Sequence, residues 1–168
     1  YVATVRTIFS PALYTSPDLK SWKYQGSGFA GIGAASDMAY GNNRFVAVAS
    51  TSAIWTSPDG VNWTSPDGVN NFVFWTPSGL VTTRTLRRLT YGNGMIVAVG
   101  DKGTTLSSSD GIRWELHRVD SSKDLFEVAF GNNRFVAVGT SGTILTSGDG
   151  ITWVSVPPIT TPDLHGVS

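Results

Sequence analysis

The sequence predicts an all-β fold built from four copies of one antiparallel unit. Three observations carry this. Short runs of Val, Phe, Ile and Thr alternate with Gly, Asn and Asp clusters, and no segment of a dozen residues shows the i, i+3, i+4 apolar spacing of a helix. A strand–turn–strand pattern occurs three times. A second turn signature, Ser-x-Asp followed by a Trp four residues after the Asp, occurs four times and in phase with the first pattern.

The first pattern reads Met38-Ala39-Tyr40-Gly41-Asn42-Asn43-Arg44-Phe45-Val46-Ala47-Val48. It returns from Leu89 to Val99 around Tyr91-Gly92-Asn93-Gly94, and from Val128 to Val138 around Phe130-Gly131-Asn132-Asn133. Asn and Gly tolerate positive φ, which a two-residue hairpin needs if its strands are to keep their right-handed twist. The strand after each turn is apolar at successive positions, so burial on both faces is expected. Ala47, Ala98 and Ala137 recur at one place in it, which predicts close approach of a neighbouring sheet.

Eighteen residues after each turn glycine comes an Asp: Gly41 to Asp59, Gly92 to Asp110, Gly131 to Asp149. Each Asp sits in the second motif, as Ser57, Asp59, Gly60 and Trp63, then Ser108, Asp110, Gly111 and Trp114, then Ser147, Asp149, Gly150 and Trp153. A fourth copy, Ser16, Asp18 and Trp22, has the same length without the glycine. A short carboxylate can accept hydrogen bonds from backbone N–H groups just after it, Gly relaxes the chain, and Trp folds back over the turn. These residues are expected to shape turns, and the four Trp to bury much of the core.

The motif resembles the Asp-box, or BNR, repeat of sialidases and of the photosystem II assembly-factor family. There the box is the turn between the third and fourth strands of a β-propeller blade, and here the box is one residue shorter between Asp and Trp than the commonest pattern. The resemblance implies a β-propeller of four Asp-box blades with four antiparallel strands each, in one domain of 1–168 or an in-phase part of one. The blades would span about 1–35, 36–84, 85–122 and 123–160. Trp22, Trp63, Trp114 and Trp153 lie 41, 51 and 39 residues apart, which suits such blades except in the middle.

The excess in the middle is a duplication: Trp55 to Asn62 is copied from Trp63 to Asn70. Only the first copy keeps the phase, so Asp59 rather than Asp67 is expected in the blade turn and the second copy in a rim loop. Asp163 to Ser168 matches the opening strand at Asp124 to Ala129, and Tyr1 to Val5 reads as a second strand. A closing strand at 163–168 would complete a four-bladed ring by pairing with the first blade; alternatively another copy completes the ring as a homo-oligomer. With no initiator Met, the chain reads as a mature protein or as an excerpt.

Composition narrows the function classes. There is no cysteine, so disulfides and Cys-based metal sites are excluded. Twelve basic and twelve acidic residues cancel, which disfavours nucleic acid and anionic membranes as partners. No apolar stretch reaches a membrane span. His117 and His165 lack ligand-spaced partners, so no metal or cofactor is expected. The Gly26–Gly33 stretch has no following helix to bind a dinucleotide and reads as a connection. Sialidase chemistry would need an arginine triad and a Tyr–Glu pair, but the Phe-Arg-Ile-Pro type motif is absent, and Glu115 and Glu127 sit in strand-like positions.

The candidate binding surface is therefore sought where the repeat breaks. Phe72, Phe74 and Trp75 follow the duplicated octapeptide, and Arg84, Arg87 and Arg88 form the basic cluster, read either as a solvated strand face or as a contact for an acidic partner. The expected function is a non-catalytic scaffold, secreted, periplasmic or at the cell surface, whose partner is a protein or a glycan. A lectin-like propeller and a fragment of a sialidase-like hydrolase are the alternatives. Positions 14, 55, 106 and 145 read Tyr, Trp, Leu and Leu, which weakens the lectin reading, since one site per blade needs a constant set.

Overall fold

The computed structural model describes residues 1–5, 12–25, 35–49, 53–64, 84–119, 122–157 and 162–168. They form four antiparallel sheets. The first contains β1 (Val2–Val5), β2 (Ala12–Thr15) and β3 (Lys23–Tyr24). The second contains β4 (Ala35–Gly41), β5 (Arg44–Ala49) and β6 (Ile54–Ser57). The third runs β7 (Leu86–Gly92), β8 (Met95–Gly100), β9 (Thr104–Ser108) and β10 (Glu115–Arg118). The fourth runs β11 (Leu125–Gly131), β12 (Arg134–Gly139), β13 (Ile144–Ser147) and β14 (Val154–Val156). Each sheet is a meander whose strands neighbour one another in chain order.

The hairpin turns have the backbone that their residues favour. Asn42 and Asn43 lie at φ 52° and 58°, Asn93 and Gly94 at 49° and 77°, and Asn132 and Asn133 at 48° and 60°. The registers repeat as well: Gly41 faces Arg44, Gly92 faces Met95, and Gly131 faces Arg134. A bulge recurs near the start of β4, β7 and β11, just before Asp37, Arg88 and Glu127. β1 holds the place of β5, since Val2 faces Thr15 as Val46 faces Thr56.

The core lies between sheets. Val46 and Val48 of the second sheet pack with Leu86, Leu89, Ile96, Ala98, Leu106 and Trp114 of the third. Val97 and Val99 pack in the same way with Leu125, Val128, Phe135 and Leu145 of the fourth, and Leu13 packs with Ala47 and Trp63. Ala47, Ala98 and Ala137 are buried where sheets approach each other. The four box Trp do not share this core equally. Trp63 and Trp114 are buried and Trp153 is half-buried, whereas Trp22 is 42% exposed because the face of the first sheet that carries it meets no other described sheet.

The innermost strands β4, β7 and β11 stand side by side. Residues 163–168 do not form the expected closing strand, and no closed ring is seen among the described residues. Asp163 Oδ1 accepts from Ser141 N at 2.8 Å, and Leu164 N donates to Gly139 O at 2.9 Å. The segment is thus held against the fourth sheet as β11 is held against the third, where Asp124 Oδ1 accepts from Lys102 N at 2.9 Å.

Candidate functional site

The box turns are closed networks. Ser57 Oγ donates to Asp59 Oδ1 at 2.9 Å and accepts from Gly60 N at 2.8 Å, while Asp59 Oδ1 accepts from Val61 N and Asn62 N, both at 2.8 Å. The same bonds recur from Ser108 and Asp110 and from Ser147 and Asp149. In the first sheet Ser16 donates to Asp18, which accepts from Lys20 N and Ser21 N. Asp59 occupies the turn equivalent to that of Asp110; Asp67 lies outside the described residues. Trp63 Nε1 donates to Gly60 O at 3.1 Å and Trp22 Nε1 to Leu19 O at 3.3 Å. Asn62, the sequon residue, donates its side-chain amide to Asp59 Oδ2 at 2.7 Å.

These bonds fix the charge of the boxes. The backbone N–H of Ser21 and then of Lys20 holds the Asp18 carboxyl at about 2, and Ile151 N with Thr152 N holds Asp149 at about 2. Asp59 is lowered by Asn62 N and Val61 N. At Asp110 burial pushes upward, but the N–H groups of Arg113 and Ile112 outweigh it and the carboxyl is lowered.

Arg87 and Arg88 lie on the inner strand β7, and Arg84 just before it. Arg84 Nη1 donates to Lys102 O at 2.7 Å. Arg87 pairs with Asp101 at 2.6 Å and lies 3.7 Å from Asp124, and its guanidinium stacks 5.1 Å above the Phe126 ring. Arg88 pairs with Glu127 at 3.1 Å and donates to Ser36 O at 3.2 Å, so one side chain links the second, third and fourth sheets. Asp37 stands at the same register as Arg88 and Glu127 and accepts from Leu89 N at 2.9 Å. Burial raises the Asp37 carboxyl against the lowering pull of Leu89 N, Met38 N and Arg88.

One stack runs across the sheets. Arg87 covers Phe126, and His165 stacks on Phe126 at 4.8 Å and 10°. The sequence holds a signal for these groups outside the turn motifs: Asp37, Arg88 and Glu127 are 51 and 39 residues apart, the spacing of Trp63, Trp114 and Trp153. Phe72, Phe74 and Trp75 lie outside the described residues, while Trp55 is half-buried against Leu13, Ala47 and Trp63. His117 Nε2 is 2.8 Å from Ser107 Oγ, and Ser107 is buried. Among the described residues no group of three or more His, Asp or Glu could hold a metal, and no helix is long and apolar enough to cross a membrane.

Four meandering antiparallel sheets with side-by-side inner strands define a β-propeller fold. Solved propeller structures bear this out. An ancestral GH74 enzyme superposes with a TM-score of 0.61 at 15% identity, covering 94% of this chain and 24% of that one. The GH74 enzyme of Niastella koreensis gives 0.59 at 18% identity, covering 90% and 22%. PorZ, a bacterial surface component of the type-IX secretion system of Porphyromonas gingivalis, gives 0.56 at 14% identity, covering 92% and 22%. The chain thus spans about a quarter of these proteins. No protein-family model matches the sequence, and no curated protein matches it.

Proposed function

We propose that the chain is a non-catalytic Asp-box propeller that acts as a protein-binding or assembly scaffold. The observation that supports this most directly is the state of its acids. Every Asp among the described residues accepts from a backbone N–H of this chain or pairs with Arg87: Asp18, Asp59, Asp110 and Asp149 in the boxes, and Asp37, Asp101, Asp124 and Asp163 between or beside sheets. Glu127 is paired with Arg88. Glycoside hydrolysis needs two carboxyl groups that face a substrate across a gap; here these carboxylates brace the scaffold, and of the described acids only Glu115, exposed on β10, stands outside the set. PorZ supports a surface or secretion-linked role outside the cytoplasm, while the GH74 likeness supports the alternative of a fragment whose catalysis lies elsewhere.

The binding surface in this reading is carried by Arg84, Arg87 and Arg88 at the start of β7, and the aromatic residues Phe72, Phe74 and Trp75 are the other candidates. The Arg87 and Arg88 side chains keep 37% and 42% of their surface, enough to meet an acidic segment of a partner protein while their own carboxylates hold them in place. A glycan array tests the ranking: no binding is expected, and clear retention of one sugar class would replace the scaffold with a lectin. The ring would be completed either by residues 163–168 on the first sheet or by a second copy. Light scattering separates these, a monomer supporting closure and a dimer a shared ring.

A further inference from the structure

Three of the four boxes carry a glycine at one position, and the structure shows what that glycine faces. A Cβ on Gly60 would lie 2.5 Å from Val2 Cγ2, on Gly111 3.1 Å from Val46 Cγ2, and on Gly150 2.7 Å from Val97 Cγ2. Val2, Val46 and Val97 hold the same register in successive sheets, each opposite the residue before a box Ser. At each of these three seams, then, a valine methyl rests where only glycine leaves room, since carbon atoms pack at roughly 3.5–4.0 Å. The backbone there is left-handed as well, with φ of 74°, 71° and 76°.

The first box keeps the conformation and changes the residue. Leu19 stands at the glycine position with φ 62° and is 55% exposed. At the far side of the molecule, Val136 holds the register of Val2, Val46 and Val97, facing Thr146, and is half-buried. Asn132 is exposed beside it, at the position from which Asn42 donates to Ser109 O at 2.7 Å and Asn93 to Gly148 O at 3.3 Å across the two seams that flank the third sheet. The fourth sheet thus presents both halves of the regular seam, the valine and the amide. The first sheet has Pro17 at the motif position of Ser109 and Gly148, but Leu19 in place of glycine.

We propose that the Leu19 face of the first sheet receives the Val136 face of a second copy, and that Leu19 makes this seam the weak joint of the assembly by holding the two sheets farther apart than at the other three. The proposal rests on the reading that the ring is completed by another copy. It follows from the continuity of the two faces with the established seams and from the side chain that interrupts it.

Sedimentation of the whole chain over a concentration series, for wild type and Leu19→Gly, is the test. Glycine suits φ 62°, so the variant folds, which circular dichroism checks. Wild type is expected to self-associate weakly and Leu19→Gly about tenfold or more tighter, the effect of removing one overpacked contact. Val136→Ala should tighten wild type, by opening space opposite Leu19, yet weaken the Leu19→Gly background, a reversal that loss of general stability would not produce. Association with unchanged affinity in Leu19→Gly, or the same effect of Val136→Ala in both backgrounds, overturns the role of Leu19 and leaves the shared ring standing. No association in either protein overturns both.

Discussion

Gly92 and Gly131 end equivalent strands in near-identical sequence, yet alanine should act on them in opposite ways. A Cβ on Gly92 would lie 2.0 Å from Phe130 Cγ and within 2.4 Å of two further ring atoms, because the ring lies flat on the glycine. A Cβ on Gly131 meets nothing within 4 Å. In Gly92→Ala, Phe130 must either be overpacked, at about 1–3 kcal/mol, or be expelled. Expulsion gives up about half of the roughly 1.5–3 kcal/mol that burying such a ring provides, since Phe130 is only half-buried against Phe135, 4.7 Å away. Alanine recovers about 0.4–1 kcal/mol by restricting the unfolded chain. The cheaper route is expulsion, so the net loss is about 0–1 kcal/mol, a fall in Tm of up to roughly 4 °C for a domain of this size. Gly131→Ala keeps only the entropic gain and should hold or slightly raise Tm. Thermal unfolding followed by circular dichroism decides; equal shifts in the two variants would refute the close seating of each hairpin aromatic on the sheet before it.

Asp149→Ala removes the acceptor for Ile151 N and Thr152 N and should cost about 1–2 kcal/mol in urea unfolding, whereas Asp149→Asn keeps an acceptor and should cost less. The depressed box carboxyls contribute stability that is present above their unfolded value of 3.8 and is lost as pH falls toward about 2, so acid unfolding should steepen in that window. Asp37 has the opposite sign: its raised carboxyl favours the fold at low pH, and this contribution fades as pH rises through the folded value. Asp37→Asn, which retains an acceptor for Leu89 N, should therefore stabilise the protein at pH 7 relative to wild type and lose that advantage near pH 3; a constant difference between the two pH values would contradict the burial of this group.

The parts of the fold that were legible in the sequence are those set within a few residues. Asn42-Asn43 and Asn93-Gly94 announce positive φ by residue type alone, and Ser57 with Asp59 forms its turn with partners no more than three residues away. What was not legible depends on pairs far apart in the chain. Arg88 meets Glu127 and Ser36 only because three bulges bring equivalent positions into one row, so composition showed a basic cluster where the fold has a braced mixed-charge row. Trp22 carries the same motif as Trp63, but its exposure follows from the absence of a described sheet beside it, which no local pattern encodes. Residues 163–168 follow the same rule: the match to Asp124–Ala129 gives the kind of segment, and Asp163 bonds Ser141 N as Asp124 bonds Lys102 N, but a strand ladder beyond that bond depends on a sheet far away in the chain.

That docking of each opening strand on the sheet before it has a consequence for synthesis. As the chain leaves the ribosome, a sheet can complete its own meander, but the 102–103 and 141–142 corners stay unlatched until Asp124 or Asp163 of the following repeat has emerged. Each unit is thus sealed one strand late by its successor. Nascent chains stalled so that Asp124 lies just inside or just outside the exit tunnel should differ in protease resistance of the third sheet, although every residue of that sheet is already outside the tunnel in both.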